Sequence, residues 1–185
     1  MRNFLERTVA LFGLIAASPF VAVAVILIRL DSPGAAIFRQ ERVGRERKPF
    51  ICCKLRTMAA GTKQAGTHEI SAASVTEIGR FLRATKLDEI PQLWNVVRGE
   101  MAFVGPRPCL PLQTELIHER EIRGVYTITP GITGLGQVRG IDMSDPVRLA
   151  EIDAEYLKMR SLALDLRLAL QTVRGGGAGD RVKST

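Results

Sequence analysis

The 185-residue sequence predicts an α+β fold that is mainly helical. An apolar N-terminal helix interrupted by a proline precedes a small globular domain with a β-hairpin and amphipathic helices. Three observations predict it. Residues 8–28 carry no ionisable side chain. Two short strand-like runs flank a polar, glycine-containing loop between residues 35 and 58. Further on, apolar residues recur at i, i+3, i+4 and i+7 in several segments, the period of a half-buried helix.

The N-terminal run "TVALFGLIAASPFVAVAVILI" has 21 residues, and about 20 suffice to cross a hydrocarbon core. Its twelve Val, Leu, Ile and Phe residues supply roughly −4 to −7 kcal/mol of insertion free energy. Pro19 costs a helix interior about 3 kcal/mol, so insertion survives but a straight helix does not. The Ser18 hydroxyl is expected to bond back to the Leu14 carbonyl and favour a break at Ser18-Pro19. A cleaved signal peptide fits poorly, because the apolar run continues through "VILI" past the Ala22-Val23-Ala24 site. Arg2 and Arg7 precede the run, and Arg29, Arg39, Arg42, Arg45, Arg47 and Lys48 follow it. Basic flanks prefer the cytoplasmic side. A kinked single span and a helix–break–helix that enters and leaves by one face both remain open.

Asp31-Ser32-Pro33-Gly34 is a turn that ends the anchor, so the expected organisation is an anchor over 1–30, a globular domain over 31–174 and a disordered tail over 175–185. Residues 59–73 read as a mobile loop. "SVTEIGRFLRAT" places Val75, Ile78, Phe81 and Leu82 on one helical face, with Ser74 as N-cap. Ile90, Leu93, Trp94 and Val97 mark a second helix ending at Gly99. Asp145-Pro146 opens a third by an N-cap followed by proline at the first helical position. "LALDLRLALQTV" forms a fourth, apolar enough for the core or a membrane surface.

A net charge of +7 with only 5% aromatic residues disfavours single-stranded nucleic acid, whose binders need stacking platforms. The cations suit anionic lipid or phosphorylated small molecules better. Cys52, Cys53 and Cys109 are an odd number without CxxC spacing, so neither a disulfide framework nor a zinc site is indicated.

In this basic chain Asp88 and Glu89 stand side by side, after Arg83 and Lys86 and before Pro91. Thr85 to Asp88 fits a capping box, in which the acid only satisfies backbone N–H groups. That start leaves Pro91 inside the hydrogen-bonded helix. A helix starting at or just after Asp88 puts Pro91 in its first turn, where the missing N–H costs little. The carboxylates then lie at a helix mouth, where a phosphate and a metal could join them. Arg107 lies between Pro106 and Pro108, which restrict its backbone and pre-aim its guanidinium fork. Residues 129–140 hold four glycines and no charge before Arg139, so they can wrap closely round a ligand. Lys54 and Arg56 alternate along a strand and are expected on one face.

Together "FRQERVG", "KLRTM", "FLRATKLDEIPQLWNVVRGEMAFVGPRP" and "TPGITGLGQV" resemble the bacterial sugar transferases known as small monotopic phosphoglycosyl transferases. The resemblance implies transfer of a sugar 1-phosphate from a UDP-sugar to polyprenyl (undecaprenyl) phosphate with release of UMP. It implies Asp88 as nucleophile, Glu89 as base or metal ligand, and Mg²⁺ held by Asp88 and Glu89. Arg83, Arg107, Lys54, Arg56 and Arg139 would bind phosphate, Arg139 replacing a family arginine that is Ile141 here. Pro130, Gly131, Thr133 and Gln137 would line the nucleotide side. The anchor would be a re-entrant membrane helix broken at Ser18-Pro19, followed by amphipathic interfacial helices, on the cytoplasmic face of the bacterial inner membrane. The expected partners are the UDP-sugar, polyprenyl phosphate and the lipid bilayer, without nucleic acid, and a homodimer is left open. A non-catalytic scaffold that binds anionic lipid and a sugar-nucleotide phosphohydrolase are the competing functions.

Overall fold

A computed structural model describes residues 2–59, 61–62 and 74–175. Helices α1 (Arg2–Asp31), α2 (Glu77–Ala84) and α3 (Gln92–Arg98) belong to a first compact unit, formed by residues up to 40 and 51–98. Among the described residues the second unit holds 41–50 and 99–175. It contains strands β3 (Ala102–Val104) and β4 (Gly131–Thr133), and helices α4 (Thr114–Ile122), α5 (Leu135–Val138), α6 (Pro146–Met159) and α7 (Leu162–Val173). Strands β1 (Ile37–Val43) and β2 (Pro49–Leu55) pair as the expected hairpin. The fold is mainly helical with small sheets, as expected. The loop expected over 59–73 and the tail expected over 175–185 lie largely outside the described residues.

α1 stays helical through Ser18-Pro19 instead of separating into two helices. The reason is local. Pro19 has no N–H, which leaves the carbonyl four residues earlier, Ile15, without its helical donor. The Ser18 hydroxyl donates to that same Ile15 carbonyl at 2.8 Å, in place of the expected Leu14. Residues 3–31 have a segment of mean hydropathy 2.6 and turn Phe4, Phe12, Phe20 and Leu30 outward. Within the first unit α1 packs on α3 and α2. Ile28 of α1 joins Ala36, Leu55 and Leu82 in a buried cluster that Leu87 covers.

Two helix starts differ from expectation. Thr76, not Ser74, caps α2, its hydroxyl accepting from the Gly79 N–H at 3.0 Å. Val75 pairs with Met58 in a β-bridge, so the chain there is extended and cannot begin a helix. α3 starts only at Gln92, and Phe81 of α2 is exposed. The buried residues of α3 are Gln92, Asn95 and Val96, while Trp94 is about half exposed. Asn95 explains the inversion: its amide donates to the Ile51 carbonyl at 2.7 Å and accepts from the Cys53 N–H at 3.1 Å. A polar side chain thus closes the open edge of β2.

In the second unit, β3 and β4 pair in parallel with Ala102 opposite Gly131 and Val104 opposite Thr133. Helix α6 begins as expected, Asp145 accepting from the Arg148 N–H at 3.1 Å and Pro146 following it. Val104, Leu135, Ile152, Tyr156 and Leu168 form the core between the strands, α6 and α7.

Candidate active site

Asp88 and Glu89 lie in a 3₁₀ turn, Leu87–Glu89, that follows Lys86 in the left-handed conformation, φ 58°. A non-glycine residue there costs on the order of 1 kcal/mol or more, and such backbone concentrates at functional sites. The turn ends α2 and precedes α3, so Pro91 falls just before the helix and not within its first turn. The capping-box alternative fails as well, since the Thr85 hydroxyl donates back to the Phe81 carbonyl at 2.8 Å. Asp88 is 8% exposed, unusual for a carboxylate in a chain with so much surface available. The Lys54 ammonium stands 3.3 Å from a Glu89 carboxylate oxygen, both side chains largely covered.

Arg83 reaches into the same unit from the last turn of α2. Its Nε donates to the buried Thr57 hydroxyl at 2.8 Å, while its Nη1 is buried without a hydrogen-bond partner. A buried guanidinium N–H left unmatched costs about 1–3 kcal/mol, and an arriving anion removes that cost. Thr57 was not singled out from the sequence, although it sits inside "KLRTM". Arg56 is placed otherwise than expected. Its guanidinium donates to the carbonyls of Ile28 (3.1 Å), Ser32 (2.6 Å) and Pro33 (2.7 Å), closing the end of α1.

Arg107, Pro130, Gly131, Thr133 and Gln137 belong to the second unit. The loop around Arg107 is stapled along its backbone. Gly105 donates to the Thr133 carbonyl at 2.9 Å and Gly131 to the Pro106 carbonyl at 3.0 Å. Arg42 and Arg120 donate to the carbonyls of Pro108 (3.0 Å) and Arg107 (2.8 Å). Gly105 and Gly131 must be glycine for this approach, because a Cβ on Gly131 would lie 2.1 Å from the Gly105 nitrogen. Gln137 donates to the Ile132 carbonyl at 3.1 Å, and its buried Oε1 is unpartnered. Thr133 meets Thr172 of α7 hydroxyl to hydroxyl at 2.6 Å. Arg139 turns to Glu155 on α6 in an exposed ion pair, which engages the residue expected to replace the missing arginine.

Arg120 and Asp153 are a buried pair that sequence reasoning missed. Arg120 Nε donates to an Asp153 carboxylate oxygen at 2.9 Å. Nη2 stands 2.7 Å from the same oxygen, within ion-pair reach but off the hydrogen-bonding line. Burial pushes the Asp153 carboxyl up, against the pull of Arg120. A signal existed: Asp153 interrupts the apolar stripe of Leu149, Ile152 and Tyr156, and a carboxylate at a core position demands a cation.

Among the described residues no three His, Cys, Asp or Glu side chains gather as a metal cage. Two adjacent carboxylates still suit Mg²⁺, a hard ion that takes one or two protein oxygens and completes its shell with water and phosphate.

The pattern of the bacterial sugar transferase family matches residues 1–176. The chain belongs to that family. The chain is 39% identical over 165 residues to the UDP-glucose:undecaprenyl-phosphate glucose-1-phosphate transferase of Caulobacter vibrioides, covering 84% of this chain and 62% of that one. It is 35% identical over 193 residues to the UDP-galactose-lipid carrier transferase of Erwinia amylovora, covering 92% and 40%. A putative undecaprenyl-phosphate N-acetylgalactosaminyl 1-phosphate transferase of Bacillus subtilis is 47% identical over 126 residues, covering 67% and 70%. The chain thus spans less than two thirds of the Caulobacter and Erwinia proteins, and the three relatives name three different sugars.

Proposed function

We propose that this chain is a phosphoglycosyl transferase that moves a sugar 1-phosphate from a UDP-sugar to polyprenyl phosphate and releases UMP. The observation that carries the reading is the buried Asp88, set in a tight turn after an arginine whose Nη1 is buried and unmatched. An Asp88 carboxylate oxygen attacks the β-phosphorus, and the bond from that phosphorus to the bridging oxygen breaks as UMP leaves. An oxygen of polyprenyl phosphate then attacks the same phosphorus and displaces the carboxylate. The aspartyl phosphosugar divides one difficult displacement into two.

Charge is the main obstacle. A carboxylate about 4 Å from one phosphate charge is repelled by about 4 kcal/mol at an effective dielectric of 20, and a diphosphate carries at least two. Arg83 offsets part of this by donating its unmatched N–H groups, and Arg107 by its fork. Asp88 and Glu89 would hold Mg²⁺, and the ion would supply Lewis-acid charge neutralisation there. Lys54 holds the Glu89 carboxylate in place at 3.3 Å. Glu89 is therefore suited to take the proton of an incoming phosphate or to complete the metal shell.

The apolar α1, with Phe and Leu side chains turned outward, is the membrane anchor. We place it as a re-entrant element on the cytoplasmic face of the inner membrane, bent at Ser18-Pro19, with α7 at the interface. The exposed Leu162, Leu166 and Leu170 give α7 an apolar stripe suited to that position.

Asp88→Asn tests the mechanism, because it keeps the shape of the side chain and removes the nucleophile. UMP release should fall at least a thousandfold. Release at the wild-type rate would exclude the covalent route, and free sugar phosphate without lipid acceptor would indicate a hydrolase. For topology, a cysteine placed at residue 3 in a background without Cys52, Cys53 and Cys109 should resist an impermeant thiol reagent supplied from the periplasm. Labelling from that side would refute re-entry.

A further inference from the structure

We infer that Arg120, clamped by Asp153, is a positioning residue that aims Arg107 at the donor phosphate. The inference rests on the reading of Arg107 as a phosphate ligand. Two prolines fix φ on either side of Arg107, and Pro108 restricts Arg107 itself to extended backbone. What remains is the rotation of the Arg107 peptide plane, and Arg120 Nη1 holds its carbonyl at 2.8 Å. The neighbouring carbonyls are held differently: Gly131 N–H takes Pro106, Arg42 takes Pro108, and Val43 N–H takes Cys109 at 3.0 Å. Arg120 is 1% exposed and Asp153 2% exposed.

Stability alone does not account for such a pair. Desolvating two charges costs about as much as their attraction returns, and apolar residues of similar volume commonly serve as well or better. Apolar residues cannot donate to the Arg107 carbonyl. The buried charge pair is required if that carbonyl must be held, and Asp153 fixes the guanidinium by engaging Nε and Nη2 while Nη1 points at the loop. Arg120 lies on α4 and Asp153 on α6, so the aim of Arg107 is referred to two helices instead of to its own loop.

The experiment uses the full-length chain in lipid nanodiscs. UMP release is measured with polyprenyl phosphate and with UDP-glucose, UDP-galactose and UDP-N-acetylgalactosamine as donors. Arg120→Met with Asp153→Leu removes the donor but keeps an apolar filling. This double variant should melt at or above the wild-type temperature, yet its KM for the accepted donor should rise about tenfold to a hundredfold, the cost of misplacing one clamp by about 1 Å. In an Arg107→Ala background the same two substitutions should change KM no further, because the effect passes through Arg107. A folded double variant with wild-type KM, or an equal further loss in the Arg107→Ala background, overturns the inference. If the double variant does not fold, Arg120→Lys decides. One ammonium cannot serve both Asp153 and the Arg107 carbonyl, so KM should rise at nearly unchanged Tm, and a wild-type KM refutes the role. An Arg107→Ala protein with wild-type KM, or a wild-type chain that releases no UMP from any donor, overturns the parent reading and this one with it.

Discussion

Arg56 separates two roles that the sequence leaves equivalent. The family resemblance implies a phosphate ligand beside Lys54, whereas in the fold Arg56 closes the carbonyl end of α1. Arg56→Met keeps the aliphatic stem and removes three charge-assisted hydrogen bonds. Each is worth about 1.5–3 kcal/mol when fully effective. The Pro33 carbonyl is at the exposed end, where water replaces the donor, and the Ile28 carbonyl already accepts from the Ser32 N–H at 3.2 Å. Only the Ser32 bond and a fraction of the other two therefore count, which leaves about 2–3 kcal/mol.

For a chain of this length each kcal/mol shifts Tm by about 2–4 °C, so Arg56→Met should melt about 4–12 °C lower in detergent. Its KM for the sugar nucleotide should stay within about twofold of wild type, once both are measured well below the melting range. Arg56→Lys should recover part of the loss, because one ammonium can cap one carbonyl and still favours the negative end of the helix dipole by about 0.3–1 kcal/mol. An unchanged Tm accompanied by a raised KM would refute the capping role and return Arg56 to the phosphate.

Other consequences are as concrete. Gly79→Ala would set a Cβ 2.0 Å from the Thr57 carbonyl oxygen, so α2 must move off the segment that carries the Arg83 partner. It should cost about 1–3 kcal/mol in a denaturant melt and lower UMP release as well, and a stable, fully active variant would contradict the packing. Ser18→Ala should lose about 1 kcal/mol by leaving the Ile15 carbonyl unserved, and a melting temperature equal to wild type would show that the hydroxyl is idle. Chelation of divalent cations should stop UMP release and added Mg²⁺ should restore it, while full turnover in excess chelator would remove the metal from the reaction.

Much of the architecture was legible because it is local. The proline-opened α6, the apolar α7 and the hairpin each carry their own signal within one segment. The parallel pair β3–β4 is not local: its strands have three residues each and are 26 residues apart, too short for any period to register. Helix α4 escaped because its apolar residues form no clear stripe. The carboxylates stand out in the sequence, but the backbone that carries them does not. Pro91 does exclude the helical start at Lys86, yet it permits a 3₁₀ turn before the helix as readily as a first helical turn after Asp88. The choice was made by Lys86 in a left-handed conformation, which no residue preference announces. The arginines were least legible of all. Arg56, Arg83, Arg107 and Arg139 have the same side chain, and only the partners that folding brings to each distinguish a helix cap, a buried guanidinium with an unmatched N–H and a surface ion pair.

The placement of α1 bears on why a soluble-looking site is joined to so apolar a helix. Leu87, adjacent to Asp88, covers the cluster that includes Ile28 in the last turns of α1. Gly13 of α1 lies against Leu93 of α3, a Cβ on it falling 3.5 Å from the leucine methyl. The turn that carries Asp88 is thus braced on the end of α1 that bears Arg29 and Asp31, the polar end of the segment. On the proposed reading that end lies at the membrane surface, because charged residues leave the hydrocarbon. The depth of α1 then sets the height of Asp88, and the phosphate of a polyprenyl carrier lies at that same height. Lengthening α1 by one turn between Gly13 and Ile28 would move the braced turn by about 5.4 Å along the helix axis. Transfer to the lipid acceptor should suffer more than the first displacement, so a burst of UMP without lipid product is the expected signature. Equal loss of both half-reactions would show that α1 tethers the site without setting its height.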